Sequence, residues 1–217
     1  DDQYLFQELN LVTNIKTIVV NGSGVNLNHF QPAELPDQPV FLTMARLLKS
    51  KGLIEYANAA KIAKAFNPNA RFLLYGYPDD HSDSISEEEI QNSWFTKYGV
   101  EYMGFSTNPM QAISQCNVFV LLSYNEGTPR SVLEAMSMGR AILTTNVRGC
   151  RETVIDGVNG FLVPMKDSQE TSKRMIELMN PVLRKNMGLE SQAYCAQKFD
   201  VKAVNQKILA EVIGLTL

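Results

Sequence analysis

The 217-residue sequence is poor in the residues that carry much of metal and nucleophile chemistry. Its three cysteines, Cys116, Cys150 and Cys195, are widely spaced and form no CxxC pair. This spacing suggests neither a disulfide framework nor a zinc site, and it favours a reducing, cytoplasmic compartment. The two histidines, His29 and His81, have no serine or cysteine nucleophile motif beside them. We therefore interpret each as a surface or loop histidine.

Long apolar runs and a strong net charge are also absent. Nowhere do about 18 apolar residues follow one another, and the opening DDQYLFQELNLV has neither a charged nor an apolar signal region. The segment is predicted neither to span a membrane nor to carry an export signal. A formal net charge of -3 argues against non-specific nucleic-acid binding. An anionic ligand would need a local basic site.

Common nucleotide motifs are missing as well. No GxxxxGK[ST] phosphate loop occurs, and GSG at 22–24 lacks the third glycine of a dinucleotide fingerprint. A nucleotide hydrolase and a Rossmann oxidoreductase therefore lose their main support. A phosphoacceptor regulatory domain of flavodoxin-like topology is disfavoured too, because no acidic cluster lies beside an early strand.

Short apolar runs alternate with amphipathic stretches along most of the chain. Near-continuous hydrophobicity is typical of strands that are covered on both faces. It predicts strands over 16–22, 40–45, 71–76, 100–104, 118–123, 141–146 and 160–164. Helices are predicted over 51–66, 87–97, 109–115, 130–138, 168–179, 182–197 and 201–213. This order predicts an α/β fold with a doubly wound parallel sheet, whose ligands bind in the loops that follow the strands.

Two carboxylates flank the start of the helix predicted in EGTPRSVLEAM, from residue 126. Thr128 can cap this helix and Pro129 suits its first position. Glu126 then lies at the mouth of the helix, and Glu134 about one and a half turns inside. The free N–H groups form a site for an anion or a hydroxyl group, and Gly127 allows a ligand to approach the backbone.

Both carboxylates also have a purely structural interpretation, which the pattern leaves open. Glu134 lies four residues after Arg130 and opposite the apolar stripe of the helix, so an ordinary surface ion pair would explain it. Glu126 could simply complement the helix dipole.

The junction MARLLKSKG, at 44–52, brings Arg46, Lys49 and Lys51 between a strand and a helix. Cations at this end oppose the helix dipole, which costs free energy unless an anion is present. A diphosphate would supply that charge, with Arg46 forking onto its oxygens and Lys51 acting as a point charge. A solvated basic turn is the alternative.

The loop GFSTNP, at 104–109, is explained well by capping alone, with Asn108 before Pro109. A contact from Ser106 or Asn108 to a base or ribose is the functional alternative.

Five segments together carry a family resemblance. They are GSGVN at 22–26, ARLLKSKG at 45–52, YMGFSTN at 102–108, EGTPRSVLEAMSMGRAI at 126–142 and GCRETVIDGVNGFLVP at 149–164. In this order, and with an E-x7-E element preceded by R-x4-K, they resemble the C-terminal, donor-binding half of a retaining glycosyltransferase of family 4. That family has a two-domain GT-B architecture, with Rossmann-like domains that face each other across a cleft.

The resemblance implies roles for individual residues. Arg46 and Lys51 would bind the diphosphate of a nucleotide sugar, and Glu134 its ribose hydroxyls. Glu126 would contact the donor sugar near its anomeric carbon as an electrostatic stabiliser. The remaining donor-binding positions are Ser106 and Asn108 near the nucleoside, and Gly127, Thr128, Pro129 and Arg130 along the sugar and phosphates. No cofactor and no bound metal are implied, although Asp79 and Asp80 form a superficial acidic pair.

The resemblance also implies an organisation. Residues 1–15 would end an interdomain segment, 16–197 would form the nucleotide-sugar-binding domain, and 198–217 a C-terminal helix. The N-terminal acceptor domain of the family would then lie outside this sequence, and the chain is expected to be a fragment that is inactive by itself. GCRETV resembles bacterial surface-polysaccharide transferases, which implies a UDP-sugar, a glycan or lipid-linked acceptor, and a peripheral place at the inner membrane face through the missing half. A non-catalytic sugar-nucleotide-binding module remains the alternative.

Overall fold

A computed structural model describes residues 2–11 and 17–213, with a six-stranded parallel sheet at its centre. The strands are β1 Val40–Met44, β2 Arg71–Tyr75, β3 Val100–Tyr102, β4 Val118–Leu121, β5 Ala141–Thr145 and β6 Gly160–Val163. Their order across the sheet is β3-β2-β1-β4-β5-β6. The predicted doubly wound α/β fold is therefore confirmed.

Helices connect the strands and continue after β6. They are α1 Asp2–Glu8, α2 Leu53–Phe66, α3 Glu87–Glu89, α4 Phe95–Tyr98, α5 Pro109–Ser114, α6 Arg130–Ser137, α7 Ser168–Glu177, α8 Pro181–Lys198 and α9 Val201–Ile208. A π-helical segment, Ile90–Trp94, joins α3 to α4, and another, Leu209–Ile213, extends α9. Within the described ranges, no helix has both the length and the apolar character that crossing a bilayer requires.

The sheet buries both faces, which is why its strands read as continuous apolar runs. In β1, Phe41 packs in a core layer with α2 and α7, whereas its neighbour Leu42 packs in the layer with α5 and α6. Phe41 also stacks on Phe72 of β2, with ring centroids 5.1 Å apart. Side chains that alternate between the two layers in this way fix the register of the strands.

The prediction of a strand over 16–22 is wrong for residues 17–22, which the structure describes. Lys16 lies outside the described residues, and 17–22 form no strand. Val19 and Val20 are 53% and 36% exposed, so no helix layer covers this apolar run. Both sides of β1 are already occupied, by β2 and β4, which leaves the run no place at the centre of the sheet.

The strand order places a topological switch point beside β1. The chain leaves β1 towards β2 on one side, and later returns to β4 on the other. Loops that follow β1 and β4 therefore diverge around a crevice at the carboxyl edge of the sheet, where ligands bind in open α/β folds.

Tyr56 makes a buried polar contact in the core, and its contribution to the free energy of unfolding can be measured. Its buried hydroxyl group lies 3.0 Å from the carbonyl oxygen of Phe41 and 3.1 Å from that of Leu73. Tyr56→Phe keeps the ring but removes the donor, so we expect a loss of about 1 kcal/mol in the free energy of unfolding. Urea denaturation measures it, with Tyr4→Phe, at a residue that is 78% exposed, as the control. Equal stabilities of the two variants would contradict the prediction.

Candidate functional site

The turn after β1 carries the two cations predicted to bind phosphate. Lys49–Lys51 forms a 3-10 helix, and α2 begins only at Leu53. Between them, Gly52 has a φ of 70°, and a Cβ there would lie 2.1 Å from the carbonyl oxygen of Leu122. The turn packs directly on the end of β4, and only glycine fits this position, because it has no side chain and adopts a positive φ without strain.

The turn after β4, which carries Glu126, is held from two sides. On one side the Tyr124 N–H donates to the carbonyl oxygen of Ser50, at 2.9 Å. On the other side the Thr145 hydroxyl group donates to the carbonyl oxygen of Ser123, at 2.6 Å. The backbone before Glu126 is thus bonded both to the cationic turn and to β5.

Glu126 and Lys51 form a direct ion pair in this place. Lys51 Nζ lies 2.6 Å from Glu126 Oε1, and the Ser123 hydroxyl group donates to the same oxygen at 2.7 Å. Each charged side chain is only 18% exposed. The family resemblance implied that these two residues bind different parts of a ligand, and their direct contact was not predicted.

Arg46 is also paired with a carboxylate. Its Nη1 lies 2.7 Å from Asp79 Oδ2, and its side chain is 46% exposed. This bond involves one member of the acidic pair noted in the sequence, while Asp80 is exposed. Across residues 2–11 and 17–213, no group of three or more His, Cys, Asp or Glu side chains could hold a metal ion.

A cavity of about 530 Å³ opens between the two turns and the loop after β3. Six of the predicted site residues line it: Arg46, Lys51, Ser106, Glu126, Pro129 and Arg130. The loops after β1, β3 and β4 and the start of α6 therefore bring together residues from distant parts of the sequence.

A second cavity, of about 580 Å³, lies on the other side of Glu126. Gly127 and Thr128 line it, together with Arg148 and residues 17–21. Glu126 borders both cavities, so one carboxylate stands between them.

The start of α6 differs by one residue from the prediction. Pro129, with a φ of -72° and a ψ of 113°, is the N-cap residue, and the helix begins at Arg130. Thr128 was expected to cap the helix, and this is wrong. It packs against the turn at Gly22 instead, where a Cβ would lie 2.5 Å from Thr128 Cβ.

Glu134 forms the predicted ion pair with Arg130, but its position at the surface was wrong. Arg130 Nε lies 3.2 Å from Glu134 Oε1, and the residue Glu134 is only 8% exposed. Residues 132–137 of α6 are all buried, because α8 packs against this helix. Burial raises the pKa of Glu134, and the charges of Arg130 and His29 lower it only in part.

The loop after β3 uses its polar residues for its own structure. Asn108 Oδ1 accepts a hydrogen bond from the Gln111 N–H, which confirms it as the cap of α5. The Ser106 hydroxyl group donates to the carbonyl oxygen of Asn108, at 2.9 Å. Of the predicted donor-binding residues, Asn108 and Glu134 line neither of the two cavities. A contact with a nucleoside stays a prediction.

An aromatic pair on the cavity wall was not predicted from the sequence. Tyr77 and Phe105 meet edge to face, with ring centroids 5.3 Å apart, and are 44% and 64% exposed. Each follows a glycine just beyond a strand, at Gly76 and Gly104. That shared pattern was a signal that could have indicated them, since loops after parallel strands meet at one edge.

Gly149 tests the packing of the turn that carries Glu126. It has a φ of 75°, and a Cβ there would lie 1.7 Å from the carbonyl oxygen of Gly127. Gly149→Ala must therefore displace that turn. Gly157 is a matched control, because its φ is 77° and nothing lies within 4 Å of an added Cβ. Gly157→Ala should cost about 1 kcal/mol of unfolding free energy, and Gly149→Ala clearly more, by urea denaturation. Equal losses would contradict the contact.

The burial of Glu134 predicts how the stability of the fold depends on pH. Because burial raises its pKa in the folded state, the ionised carboxylate destabilises the fold. Glu134→Gln should therefore be more stable than the wild type at neutral pH. This difference should shrink as the pH falls through the raised pKa, and vanish below the ordinary value of 4.5.

Glu170→Gln is the control of opposite sign, measured by urea denaturation across the same pH range. A hydrogen bond with Lys173 lowers the pKa of Glu170. Its carboxylate therefore stabilises the fold above the ordinary pKa, and this contribution is lost as the pH falls through the lowered value. Glu170→Gln should be less stable than the wild type at neutral pH. A destabilised Glu134→Gln variant would sink the prediction for Glu134.

Curated relatives resemble this chain over about half of their own length. The chain is 28% identical over 209 residues to the N,N'-diacetylbacillosaminyl-diphospho-undecaprenol alpha-1,3-N-acetylgalactosaminyltransferase of Campylobacter jejuni, a match that covers 89% of this chain and 53% of that protein. It is 26% identical over 180 residues to the capsular polysaccharide biosynthesis glycosyltransferase CapM of Staphylococcus aureus, covering 80% and 46%.

A solved structure shares the fold. A variant of TarM from S. aureus, in complex with Fondaparinux, alpha-GlcNAc-glycerol and UDP, superposes with a TM-score of 0.81 at 18% identity. The match covers 96% of this chain and 42% of TarM, and it confirms the Rossmann-like domain of a GT-B architecture. The family model described as glycosyl transferases group 1 matches residues 25–194, more than three quarters of the sequence. The chain therefore belongs to the glycosyl transferases of group 1.

Proposed function

We propose that the chain is the donor-binding half of a retaining glycosyltransferase of family 4. It would take a sugar from a nucleoside diphosphate sugar, a UDP-sugar, for bacterial surface polysaccharide synthesis. The observation that carries this proposal is the 530 Å³ cavity at the switch point, which is lined by Arg46, Lys51 and Glu126. A diphosphate between the two cations and a sugar against the carboxylate would satisfy all three side chains.

Arg46 and Lys51 suit a diphosphate for different reasons. The planar guanidinium group of Arg46 has five N–H donors, so its bond to Asp79 leaves others for phosphate oxygens. Lys51 is a point charge, which already lies 2.6 Å from Glu126. A phosphate that binds Lys51 would thus lie next to the carboxylate that faces the sugar.

Glu126 fits the role of an electrostatic stabiliser. Its place between the two cavities would put the sugar in the 580 Å³ cavity and the nucleoside diphosphate in the other. As the bond from the anomeric carbon to the diphosphate breaks, the leaving group keeps the electron pair and the carbon gains positive charge. The carboxylate stabilises this carbon, while Arg46 and Lys51 stabilise the diphosphate.

The remaining predicted residues complete the donor site. Glu134 would bind the ribose hydroxyls, and its unfavourable burial as an ion is consistent with a role outside folding stability. Ser106 and Asn108 would lie near the nucleoside. The backbone from 127 to 130 would line the sugar and phosphates, because residues 127–128 border the 580 Å³ cavity and residues 129–130 border the 530 Å³ cavity. No metal is needed in this proposal, because the cations supply the positive charge.

Nucleotide and acceptor are inferred from relatives. TarM was solved with UDP, which supports UDP as the nucleotide, and the C. jejuni relative acts on an undecaprenyl diphosphate-linked sugar. We propose a glycan or lipid-linked acceptor, bound by an N-terminal domain that would also bring the enzyme to the inner membrane face. The chain alone would then bind donor without transferring sugar. A non-catalytic binding module would also bind donor without transferring sugar. Unlike the enzyme half, it would stay inactive when it is joined to the N-terminal domain.

Calorimetric titration of the 217-residue chain with UDP, GDP and ADP tests the donor site. We expect selective binding of UDP, weakened by about 1 kcal/mol or more in Arg46→Ala and Glu134→Ala, because each removes a charge-assisted contact. Arg71→Ala is the matched control, since Arg71 pairs with Glu101 and begins β2 at the opposite edge of the sheet. Binding of none of the three, or an equal loss in the control, would contradict the proposed site.

A further inference from the structure

A segment that follows β2, residues 77–85, forms a brace. This brace runs beside the turn that carries Arg46 and Lys51. The Leu47 N–H donates to the carbonyl oxygen of Tyr77 at 3.0 Å, and the Ile85 N–H to that of Leu47 at 2.7 Å. Between these bonds, the Lys49 N–H donates to the carbonyl oxygen of Asp83 at 2.9 Å. The brace is therefore bonded to the backbone of the cationic turn at Leu47 and Lys49, between the two cations.

Asp83 adds a side-chain contact to this backbone pairing. Its Oδ2 accepts a hydrogen bond from the Ser50 N–H at 3.0 Å, at the 3-10 helix that ends in Lys51. The hydrogen bonds from Ser50 lower the pKa of Asp83 to about 2. The turn that carries Lys51 is thus held by an ionised carboxylate of the brace.

Asp79 contacts the other cation, Arg46. The bond uses one guanidinium nitrogen, Nη1, and Arg46 also lines the 530 Å³ cavity, whereas Asp79 does not. The charge of Glu126 acts on Arg46 as well, though less than that of Asp79. The side chain of Arg46 therefore bonds a carboxylate of the brace at one guanidinium nitrogen and also lines the cavity.

We propose that Asp79 is a positioning residue, which orients the guanidinium group of Arg46 so that its free N–H donors face the diphosphate. This inference rests on the proposed function. An arginine side chain loses rotamer entropy when it is ordered, so a bond formed before the ligand arrives reduces the cost of binding. Asp79 acts through Arg46 and does not touch the ligand.

The test compares Asp79→Ala with Asp80→Ala in the 217-residue chain. Both variants remove one negative charge from the brace, but Asp80 is exposed and only Asp79 bonds Arg46. Loss of negative charge alone favours an anionic ligand, so Asp80→Ala should bind UDP as well as the wild type or better. Asp79→Ala should bind UDP about three- to tenfold more weakly than Asp80→Ala, by calorimetry.

Two further measurements separate positioning from general damage. Uridine has no phosphate, so its affinity, from NMR titration, should be equal in the two variants. In an Arg46→Ala background, Asp79→Ala should bind UDP as well as Asp80→Ala does, because the residue through which Asp79 acts is gone and only the loss of charge remains. Three outcomes would each overturn the inference: UDP binding by Asp79→Ala that equals or exceeds that of Asp80→Ala, weaker uridine binding by Asp79→Ala, or weaker UDP binding than Asp80→Ala that persists without Arg46. If the wild type binds no nucleoside diphosphate, the proposed function itself fails, and this inference with it.

Discussion

The close packing of the turn after β1 on the end of β4 is the constraint on which the candidate site depends. Gly52 lies so near the carbonyl oxygen of Leu122 that no side chain fits between them. Because β1 and β4 are parallel neighbours, their loops emerge at the same edge of the sheet. The contact between Lys51 and Glu126, 75 residues apart, is therefore a product of topology.

Much of this fold could be predicted from the sequence, because a strand covered on both faces is apolar along its whole length. The same signal failed over 17–22, the described part of the strand predicted from residue 16, where an apolar run is not covered. Val19 and Val20 lie at the surface and border the second cavity. Local hydrophobicity reports that a segment can be buried, but the helices that would bury it are encoded elsewhere in the chain.

The site was predictable to a similar degree. Arg46, Lys51 and Glu126 could be placed together because each follows a strand of one parallel sheet. Asp79 was not recognised as the partner of Arg46, because the two residues are 33 positions apart in the sequence and no periodic pattern links them. The burial of Glu134 was missed because helical periodicity identifies only one apolar face, and a second layer formed by α8 covers the other.

Three cations line the 530 Å³ cavity, and each has a carboxylate partner: Arg46 with Asp79, Lys51 with Glu126, and Arg130 with Glu134. Positive charges gathered in one place would otherwise repel one another and oppose compaction. Here the repulsion is offset within the domain itself. The chain can consequently complete its folding, with the cavity already shaped, before any anion arrives to fill it.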